Sequence, residues 1–328
     1  MNLKMALLSR NQRKESSPEA ATGSPRERAI QWVKNHRIPG DGILVNDKAT
    51  VASQEVTGYF IPTLYNLGET DLARDLARWE ASVQRVDGAF AAPDGVPYTF
   101  DTAQVVRGFM AVLHDLPEIE PNLRRACDFV CSQITAEGKV KTPSYDMWRC
   151  PDGSRFSEYT DLYVLPPLMQ AGKLLAESRY IDAAARALSY FKSKPDLVEF
   201  KPQFGTLSHI FGYMMEALVE MDETALARQG LGQAAGLQEE SGEIPAYPGV
   251  AWVCSTGMAQ LAIAWYKLGD RGPADKAMRF LEGLQNPSGG FYGSYGPGKL
   301  YLPDQEISWA VKFFLDALRL KEGLDHGP

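Results

Sequence analysis

The sequence predicts an all-α protein that folds as an (α/α)6 toroid, in which six helical hairpins form an inner and an outer ring. Three observations lead to this prediction. The chain repeats at an interval of about fifty residues, its helical segments alternate between amphipathic and apolar, and its last helix is too apolar to lie at an open end of an array.

The repeat is marked by a glutamine that closes an amphipathic segment and is followed by glycine and an apolar residue, as in "SVQRVDGAF" and "GLQNPSGGFYGS". The glutamines are Gln84, Gln133, Gln238 and Gln285. They lie 49, 105 and 47 residues apart, the middle interval being a doubled period. A repeat of this length indicates a solenoid, a propeller or a closed helical array.

Helical periodicity decides among these architectures. Amphipathic segments such as "ETDLARDLARWEASVQ" are rich in Ala, Leu and Arg and have one polar face. They are predicted at 25–36, 70–84, 121–134, 180–193, 224–237 and 272–285. Between them lie six more apolar helices rich in Gly, Ala and aromatic residues, at about 53–67, 99–115, 158–177, 205–222, 252–268 and 304–321. Exposed helices therefore alternate with buried ones.

The two ends of the chain favour closure. An open array needs polar capping repeats, whereas the last helix, "ISWAVKFFLDALRL", is as apolar as the helices in the middle. The first 24 residues end in "KESSPEAATGSP", are rich in Ser, Pro and charge, and lack periodicity. We predict a flexible arm at 1–24 and a single toroid domain at 25–328.

Composition excludes several classes of partner. A net charge of -7 and a pI near 5.3 give no basic surface for nucleic acid or anionic lipid. No apolar run is long enough to predict a transmembrane segment, and the start "MNLKMALLSRNQRKE" lacks a secretory h-region, so we predict a cytoplasmic protein. The four cysteines are too irregularly spaced for a disulfide framework and are predicted to be buried thiols. We predict no cofactor and no metal, and composition gives no oligomeric state.

The starts of the six apolar helices indicate a functional site. In a toroid these helices run parallel, so their N-termini meet at one mouth. The starts, such as "SQEVTGYF", "TFDTAQ" and "DQEISWAVK", combine acids with aromatic residues. Helix capping explains the Ser, Thr and Asp residues and about half of the acids. It does not explain the aromatic residues, so we predict a ligand pocket at this mouth.

Five short motifs carry a resemblance to a known family. They are T-G-Y-F-I-P at 57–62, F-D-T-A-Q at 100–104, L-S-H at 207–209, S-T-G-M-A-Q at 255–260 and S-W-A-V-K-F-F at 308–314. Together they resemble bacterial toroid proteins labelled as prenyltransferase or squalene-cyclase repeat proteins and associated with polysaccharide biosynthesis. The resemblance covers nearly the whole chain after about residue 25. Similar toroids include the helical domain of glucuronyl C5-epimerase, unsaturated-uronyl hydrolases and polysaccharide lyases, and also terpene cyclases and prenyltransferase β-subunits.

The residues favour the carbohydrate branch of these toroids over the terpenoid branch. The segment "QNPSGGF" resembles the structural Gln and Gly motif of terpene cyclases, but "FDTAQ" offers one acid, Asp101, where a squalene-type cyclase has several. Cys254 and His209 lack the spacing of zinc ligands. We predict a carbohydrate epimerase, lyase or hydrolase that acts on a glycan or glycolipid intermediate. The alternatives are an isoprenoid-binding protein and a non-catalytic scaffold.

The candidate catalytic residues are those that can transfer protons at the mouth. Carboxyl groups, Tyr and His perform this chemistry in glycoside hydrolysis and in proton abstraction next to a uronate carboxylate. Each candidate also has a structural explanation: an acid at a helix start is often a cap or a partner of the helix dipole, and a lone His is more often a core residue. The candidates are Asp101, Glu158, Asp161, His209 and Glu306.

The candidate substrate-binding residues offer flat faces or positive charge. Aromatic faces stack on sugar rings. Arg149, like Arg155 in the same loop, is predicted either to bind an anionic group over the mouth or to be solvated. Lys312 shares a helix face with Trp309, and its structural alternative is a pair with Asp316 four residues later. The candidates are Tyr59, Tyr98, Trp148, Arg149, Tyr159, Trp252, Trp309 and Lys312.

Overall fold

The computed structural model describes residues 23–142, 150, 153 and 155–325. The predictions for the N-terminal arm up to residue 22 and for Trp148 and Arg149 therefore lie outside the described residues. Within the described part the chain forms α1 (Pro25–Asn35), α2 (Gln54–Asn66), α3 (Thr70–Val83), α4 (Thr99–Val112), α5 (Glu120–Ser132), α6 (Leu165–Leu174), α7 (Ser178–Lys192), α8 (Ser208–Glu220), α9 (Thr224–Gly236), α10 (Ser255–Lys267), α11 (Arg271–Leu284) and α12 (Ser308–Asp325). The predicted alternation of helices is confirmed.

The even-numbered helices form the inner ring. Each contacts the next in chain order, and α12 contacts α2, so the ring is closed. The inner helices are buried over most of their surface, most completely in α8, where every residue from Ser208 to Leu218 is buried. The odd-numbered helices lie outside and bury only one stripe, which in α3 includes Ala73, Leu76 and Ala77. This difference is the physical basis of the two compositions seen in the sequence, and the fold is the predicted (α/α)6 toroid.

Short strands support the loops at the mouth of the ring. The pair β1 (Ile43–Leu44) and β2 (Ala52–Ser53) is antiparallel, as is the pair β3 (Val253–Cys254) and β4 (Ser294–Tyr295). β2 leads directly into α2, and β3 leads directly into α10. The strands therefore fix the points at which these two inner helices begin.

The third inner helix differs from the prediction of one helix at 158–177. Its first part, Glu158–Val164, is a 3₁₀ helix, and α6 begins only at Leu165. Pro166 and Pro167 occupy the first turn of α6. Because proline has no backbone N–H, the carbonyls one turn earlier cannot receive α-helical hydrogen bonds, and the preceding residues adopt the tighter form.

The repeated glutamines join neighbouring outer helices. In each of three cases the side-chain amide donates to the glycine carbonyl four residues later and to a carbonyl in the first turn of the next outer helix. The three bridges link Gln84 to Asn122, Gln238 to Pro273, and Gln285 to Pro25. The last bridge joins α11 to α1, so the same device that links successive repeats also closes the ring.

Contacts between the ends of the chain complete the closure. α1 packs against α12, and the guanidinium of Arg26 lies 2.8 Å from the carboxylate of Glu322. The predicted neighbourhood of the first and last helices is therefore present. Among the described residues, no helix combines the length and apolar character needed to cross a membrane.

Candidate functional site

The N-terminal ends of the inner helices surround a cavity of about 280 Å³, which we call the mouth cavity. Its walls include residues from the starts of α2, α4, α8 and α12 and from the 3₁₀ segment before α6. The lining residues are Glu55, Tyr98, Phe100, Asp101, Lys139, Thr142, Arg155, Phe156, Ser157, Glu158, Thr160, Asp161, His209, Ile210, Tyr213, Tyr301 and Trp309. Helix starts that are up to about 250 residues apart in the chain therefore form one pocket.

Six of the candidates from the sequence line this cavity, and five that the structure describes do not. The six are Tyr98, Asp101, Glu158, Asp161, His209 and Trp309. The five that lie elsewhere are Tyr59, Tyr159, Trp252, Glu306 and Lys312. Particular contacts within the fold hold these five side chains away from the mouth cavity.

Glu306 serves the joint between the last loop and α1. Its carboxylate accepts hydrogen bonds from Trp32 Nε1 at 2.6 Å, from Asn286 Nδ2 at 2.8 Å and from Ser288 Oγ at 2.5 Å. The side chain is buried and faces these three donors. Its interactions are those of a structural carboxylate, which fixes the first outer helix against the loop that precedes α12.

Two aromatic candidates are packed into the wall of the ring. Trp252 contacts the rings of Phe204 and Tyr247, with centroids 6.1 and 5.6 Å away. The hydroxyl of Tyr159 donates a hydrogen bond to Asp196. Both rings are buried, at 2% and 7% exposure, and neither presents a free face to the mouth cavity.

Lys312 and Tyr59 line a second cavity of about 540 Å³ at the opposite end of the ring, where the inner helices end. Lys312 Nζ lies 3.0 Å from Asp316 Oδ2 and 3.7 Å from the centroid of the Phe313 ring. Lys312 thus pairs with Asp316, four residues later in the same helix, as the helical spacing allows. The same cavity is crossed by a network in which Arg107 and Lys267 share the carboxylate of Glu220, at 2.8 and 2.7 Å.

Two carboxyl groups stand in the first turns of neighbouring inner helices. Glu55 belongs to α2 and Asp101 to α4, and both line the mouth cavity. α2 and α4 pack so closely that their contact has no room for side chains at two glycines. A Cβ added at Gly58 would lie 2.8 Å from the backbone of Val105, and one at Gly108 would lie 2.6 Å from the carbonyl oxygen of Gly58. Glycine at these two positions therefore brings the two helix starts together.

The protein environment disfavours the charged forms of both acids. Burial raises the pKa of Glu55 to about 7. Burial also raises the pKa of Asp101 well above its usual value, and the nearby carboxylates of Glu55 and Asp94 raise it further. Asp101 is not the N-cap of its helix, because α4 begins at Thr99 and Tyr98 occupies the cap position. The environment therefore favours the neutral form of both carboxyl groups, and because the two interact they titrate as a pair.

His209 forms the next part of the wall. Its Nδ1 lies 2.7 Å from Oε1 of the buried Gln260. Burial lowers the pKa of His209 to about 4, against the opposing effect of the Gln260 hydrogen bond and together with the positive charge of Lys312. The imidazole is therefore neutral at physiological pH.

Aromatic rings and charged groups complete the pocket. The ring of His209 is parallel to that of Trp309, and Tyr213 and Tyr301 lie within 6.0 Å of it between ring centroids. Lys139, Arg155 and Glu158 are exposed at the rim. The pocket thus combines carboxyl groups, aromatic faces and an outer edge that carries charges of both signs.

Among the pocket residues that the sequence does not single out are Glu55, Phe100, Tyr213 and Tyr301. Glu55 and Phe100 stand in helix starts that the sequence marks as functional, so the sequence indicates their positions but not which way their side chains point. Tyr213 lies one helical turn after His209 and shares its face. Tyr301 belongs to the loop before α12, for which the sequence carries no signal.

The comparisons with known proteins agree with this architecture. Neither a protein-family model nor a curated protein matches the sequence. Among solved structures, the chain is similar to an alpha-amylase from Clostridium perfringens, with 11% identity and a TM-score of 0.68 over 90% of this chain and 98% of that one. It is also similar to an unsaturated glucuronyl hydrolase specific for heparin, with 13% identity and a TM-score of 0.67 over 92% and 97% of the two chains. A polysaccharide lyase gives 12% identity and a TM-score of 0.63 over 93% and 98%. These proteins share the (α/α)6 toroid fold with this chain, and at these identities the likeness establishes the fold alone.

Proposed function

We propose that the protein is a carbohydrate-active enzyme that cleaves or modifies a glycan in the mouth cavity, with hydrolysis of a glycosidic bond as the favoured reaction. The observation that carries this proposal is the pair formed by Asp101 and Glu55. The two carboxyl groups share a cavity, and the raised pKa values of both support roles for Asp101 as the proton donor and for Glu55 as the proton acceptor.

In this reaction Asp101 is the general acid. Its carboxyl proton passes to the glycosidic oxygen while the bond between that oxygen and the anomeric carbon breaks. The carboxylate of Glu55 removes a proton from a water molecule, whose oxygen forms the new bond to the anomeric carbon. One product carries a hydroxyl group on its anomeric carbon, and the other carries a hydroxyl group at the former glycosidic oxygen. The active state returns when Glu55 releases its proton and Asp101 takes one up.

The other walls suit a sugar. Trp309 and Tyr301 offer flat apolar faces, and Trp309 Nε1 donates to the Tyr301 hydroxyl at 3.1 Å, which fixes both rings. The cavity volume of about 280 Å³ lies just below the usual range for ligand pockets, about 300–1,000 Å³. These dimensions and the carboxyl pair favour a sugar unit over a long isoprenoid chain.

The structural relatives include proteins described as hydrolases and as a polysaccharide lyase, which supports the wider class of carbohydrate hydrolase, lyase or epimerase. From the sequence resemblance we further propose that the substrate is a glycan or glycolipid intermediate of polysaccharide biosynthesis. An isoprenoid ligand and a non-catalytic scaffold are the alternatives that the experiment below distinguishes.

The test is a panel of neutral and acidic oligosaccharides, with an isoprenoid diphosphate included as a competing ligand. Release of reducing ends reports hydrolysis, ultraviolet absorbance of an unsaturated uronate reports lyase activity, and exchange of a ring proton for deuterium reports epimerisation. Asp101→Asn and Glu55→Gln should fold normally and lose about 100-fold or more of the activity. Glu240→Gln, which changes an exposed acid that is not part of the lining of the mouth cavity, is the matched control.

Full activity of Asp101→Asn would show that Asp101 is not the general acid. Binding of the isoprenoid diphosphate with no turnover of any glycan would support the terpenoid alternative, and binding of neither would support a scaffold.

A further inference from the structure

The helices α8 and α10 approach each other more closely than helices with side chains at the contact could. A Cβ added at Gly212 would lie 2.6 Å from Cβ of Gln260, and one at Gly257 would lie 2.1 Å from Ser208 Oγ and 2.5 Å from the backbone nitrogen of His209. Glycine in each helix faces the functional motif of the other. This reciprocal packing places the side chain of Gln260 directly against His209.

The contact between the two side chains fixes the position of a proton. The Oε1 atom of Gln260 lies 2.7 Å from Nδ1 of His209, and an amide oxygen can only accept a hydrogen bond. With the amide oxygen facing the ring, Nδ1 carries the proton. Gln260 is fully buried, so water does not compete for this contact. In a neutral imidazole, a proton on Nδ1 leaves Nε2 as an acceptor with a free lone pair.

Nε2 is open to the mouth cavity. Among the described residues it has no hydrogen-bond partner, and it is not fully buried. His209 itself lines the cavity. The lone pair is therefore directed to the space that a ligand would fill. With a pKa lowered to about 4, mainly by burial, the ring does not become a cation at neutral pH.

We propose that Gln260 is a positioning residue that holds His209 in the Nδ1–H tautomer, so that Nε2 accepts a hydrogen bond from a hydroxyl group of the ligand. The part that concerns the ligand rests on the proposed function, whereas the tautomer does not. The chemistry is selective, because a hydroxyl can donate to the lone pair and an ether oxygen or a carboxylate cannot. A carboxylate of an acidic sugar therefore lies elsewhere in the pocket.

The tautomer is measured by ¹⁵N NMR on protein labelled at histidine. The chain has four histidines, and His209→Gln identifies the signals of His209. In the wild type we expect a protonated Nδ1 and an unprotonated Nε2. Gln260→Glu keeps an oxygen acceptor and should keep this tautomer, whereas Gln260→Met removes the acceptor and should give a mixture. Gln229→Met, on the exposed face of α9, is the matched control and should leave the signals unchanged.

Two results would overturn the assignment: a protonated Nε2 in the wild type, or an unchanged tautomer in a folded Gln260→Met protein. If Gln260→Met does not fold, the wild type and Gln260→Glu still decide, because a neutral imidazole with its proton on Nε2 in either protein contradicts the proposal.

A second readout concerns the ligand. With the oligosaccharide turned over by the wild type, Gln260→Met should raise KM more than it lowers kcat, since a mixture of tautomers weakens acceptance of the hydroxyl. Gln260→Glu should restore binding at alkaline pH and lose it toward acid, because the added carboxylate favours the imidazolium, which is a donor at both nitrogens. An unchanged KM in Gln260→Met would refute the role of Nε2. An Nδ1–H tautomer in a protein that turns over no glycan would refute the proposed function alone.

Discussion

The side-chain amide of Gln285, at the end of α11, donates a hydrogen bond of 2.9 Å to the carbonyl oxygen of Pro25, at the start of α1, although the two residues are 260 positions apart. The same amide donates to Gly289 at 3.0 Å, and Gln285 Oε1 accepts from Arg28. Gly289 has a φ of +93°, and a Cβ there would lie 2.1 Å from the carbonyl oxygen of Arg28. One repeat motif thus forms the seam of the ring.

Gln285→Ala should lower the free energy of unfolding by roughly 1–3 kcal/mol, because it leaves partly buried carbonyl groups and Arg28 without their partner. Gln229→Ala, at an exposed position of α9, should change it by less than about 0.5 kcal/mol. Unfolding in urea with both variants measures the difference. Equal midpoints would mean that the seam contributes nothing to the stability of the ring.

Removal of residues from the N-terminus tests closure and the predicted domain boundary together. Ser24 is the N-cap of α1, and its side chain and Glu27 form a capping box. A protein that lacks residues 1–22 keeps this cap, and we expect its melting temperature to match that of the full chain.

A protein that lacks residues 1–40 loses α1, including the fully buried Trp32 and its hydrogen bond to Glu306. We expect it to lose roughly 5 kcal/mol or more, which is comparable to the whole stability of a typical domain. Similar melting of the two truncated proteins would contradict a ring that depends on α1.

Much of this fold can be predicted from the sequence because its signals are local. The glutamine repeat and the alternation of helix types are visible in single segments, and they place most helix ends within a few residues. The site is predictable only in part. Glu306 resembles a mouth acid until Trp32, 274 residues away, is seen to bind it. Glu55 follows Gln54 at a helix start, where a shift of one residue changes which side chain faces the cavity.

Glu216 provides a test of stability against pH. It lies in α8 with 2% exposure, its Oε1 has no hydrogen-bond partner within the described part of the chain, and burial raises its pKa from 4.5 to about 7. Between these two pKa values the folded protein keeps a proton that the unfolded chain has released. The stability that this proton provides is complete below pH 4.5 and falls as the pH rises through 7.

Glu216→Gln cannot ionise and should not show this loss. Relative to the wild type, the variant should gain about 3 kcal/mol between about pH 4.5 and pH 8, as the shift in the pKa of Glu216 implies. Unfolding by guanidinium at the two pH values gives the comparison, with Glu240→Gln as an exposed control. A difference between the wild type and Glu216→Gln that does not change with pH would show that Glu216 keeps an ordinary pKa in the folded state.

The last prediction concerns the pH dependence of catalysis. If Glu55 acts as the base, kcat/KM should fall as the pH drops below about 7, because protonation of the Glu55 carboxylate removes the acceptor. The alkaline limb should follow ionisation of Asp101, whose pKa is raised well above its usual value. Both limbs report the coupled pair, and a rate profile from about pH 4 to pH 10 on the preferred oligosaccharide measures them. His209 should contribute no limb near pH 6.5, because its pKa is lowered to about 4. A profile whose acid limb falls near pH 4.5 would show that Glu55 has an ordinary pKa, and the role of base would pass to another carboxyl group of the mouth cavity, of which Asp161 is the first to examine by Asp161→Asn.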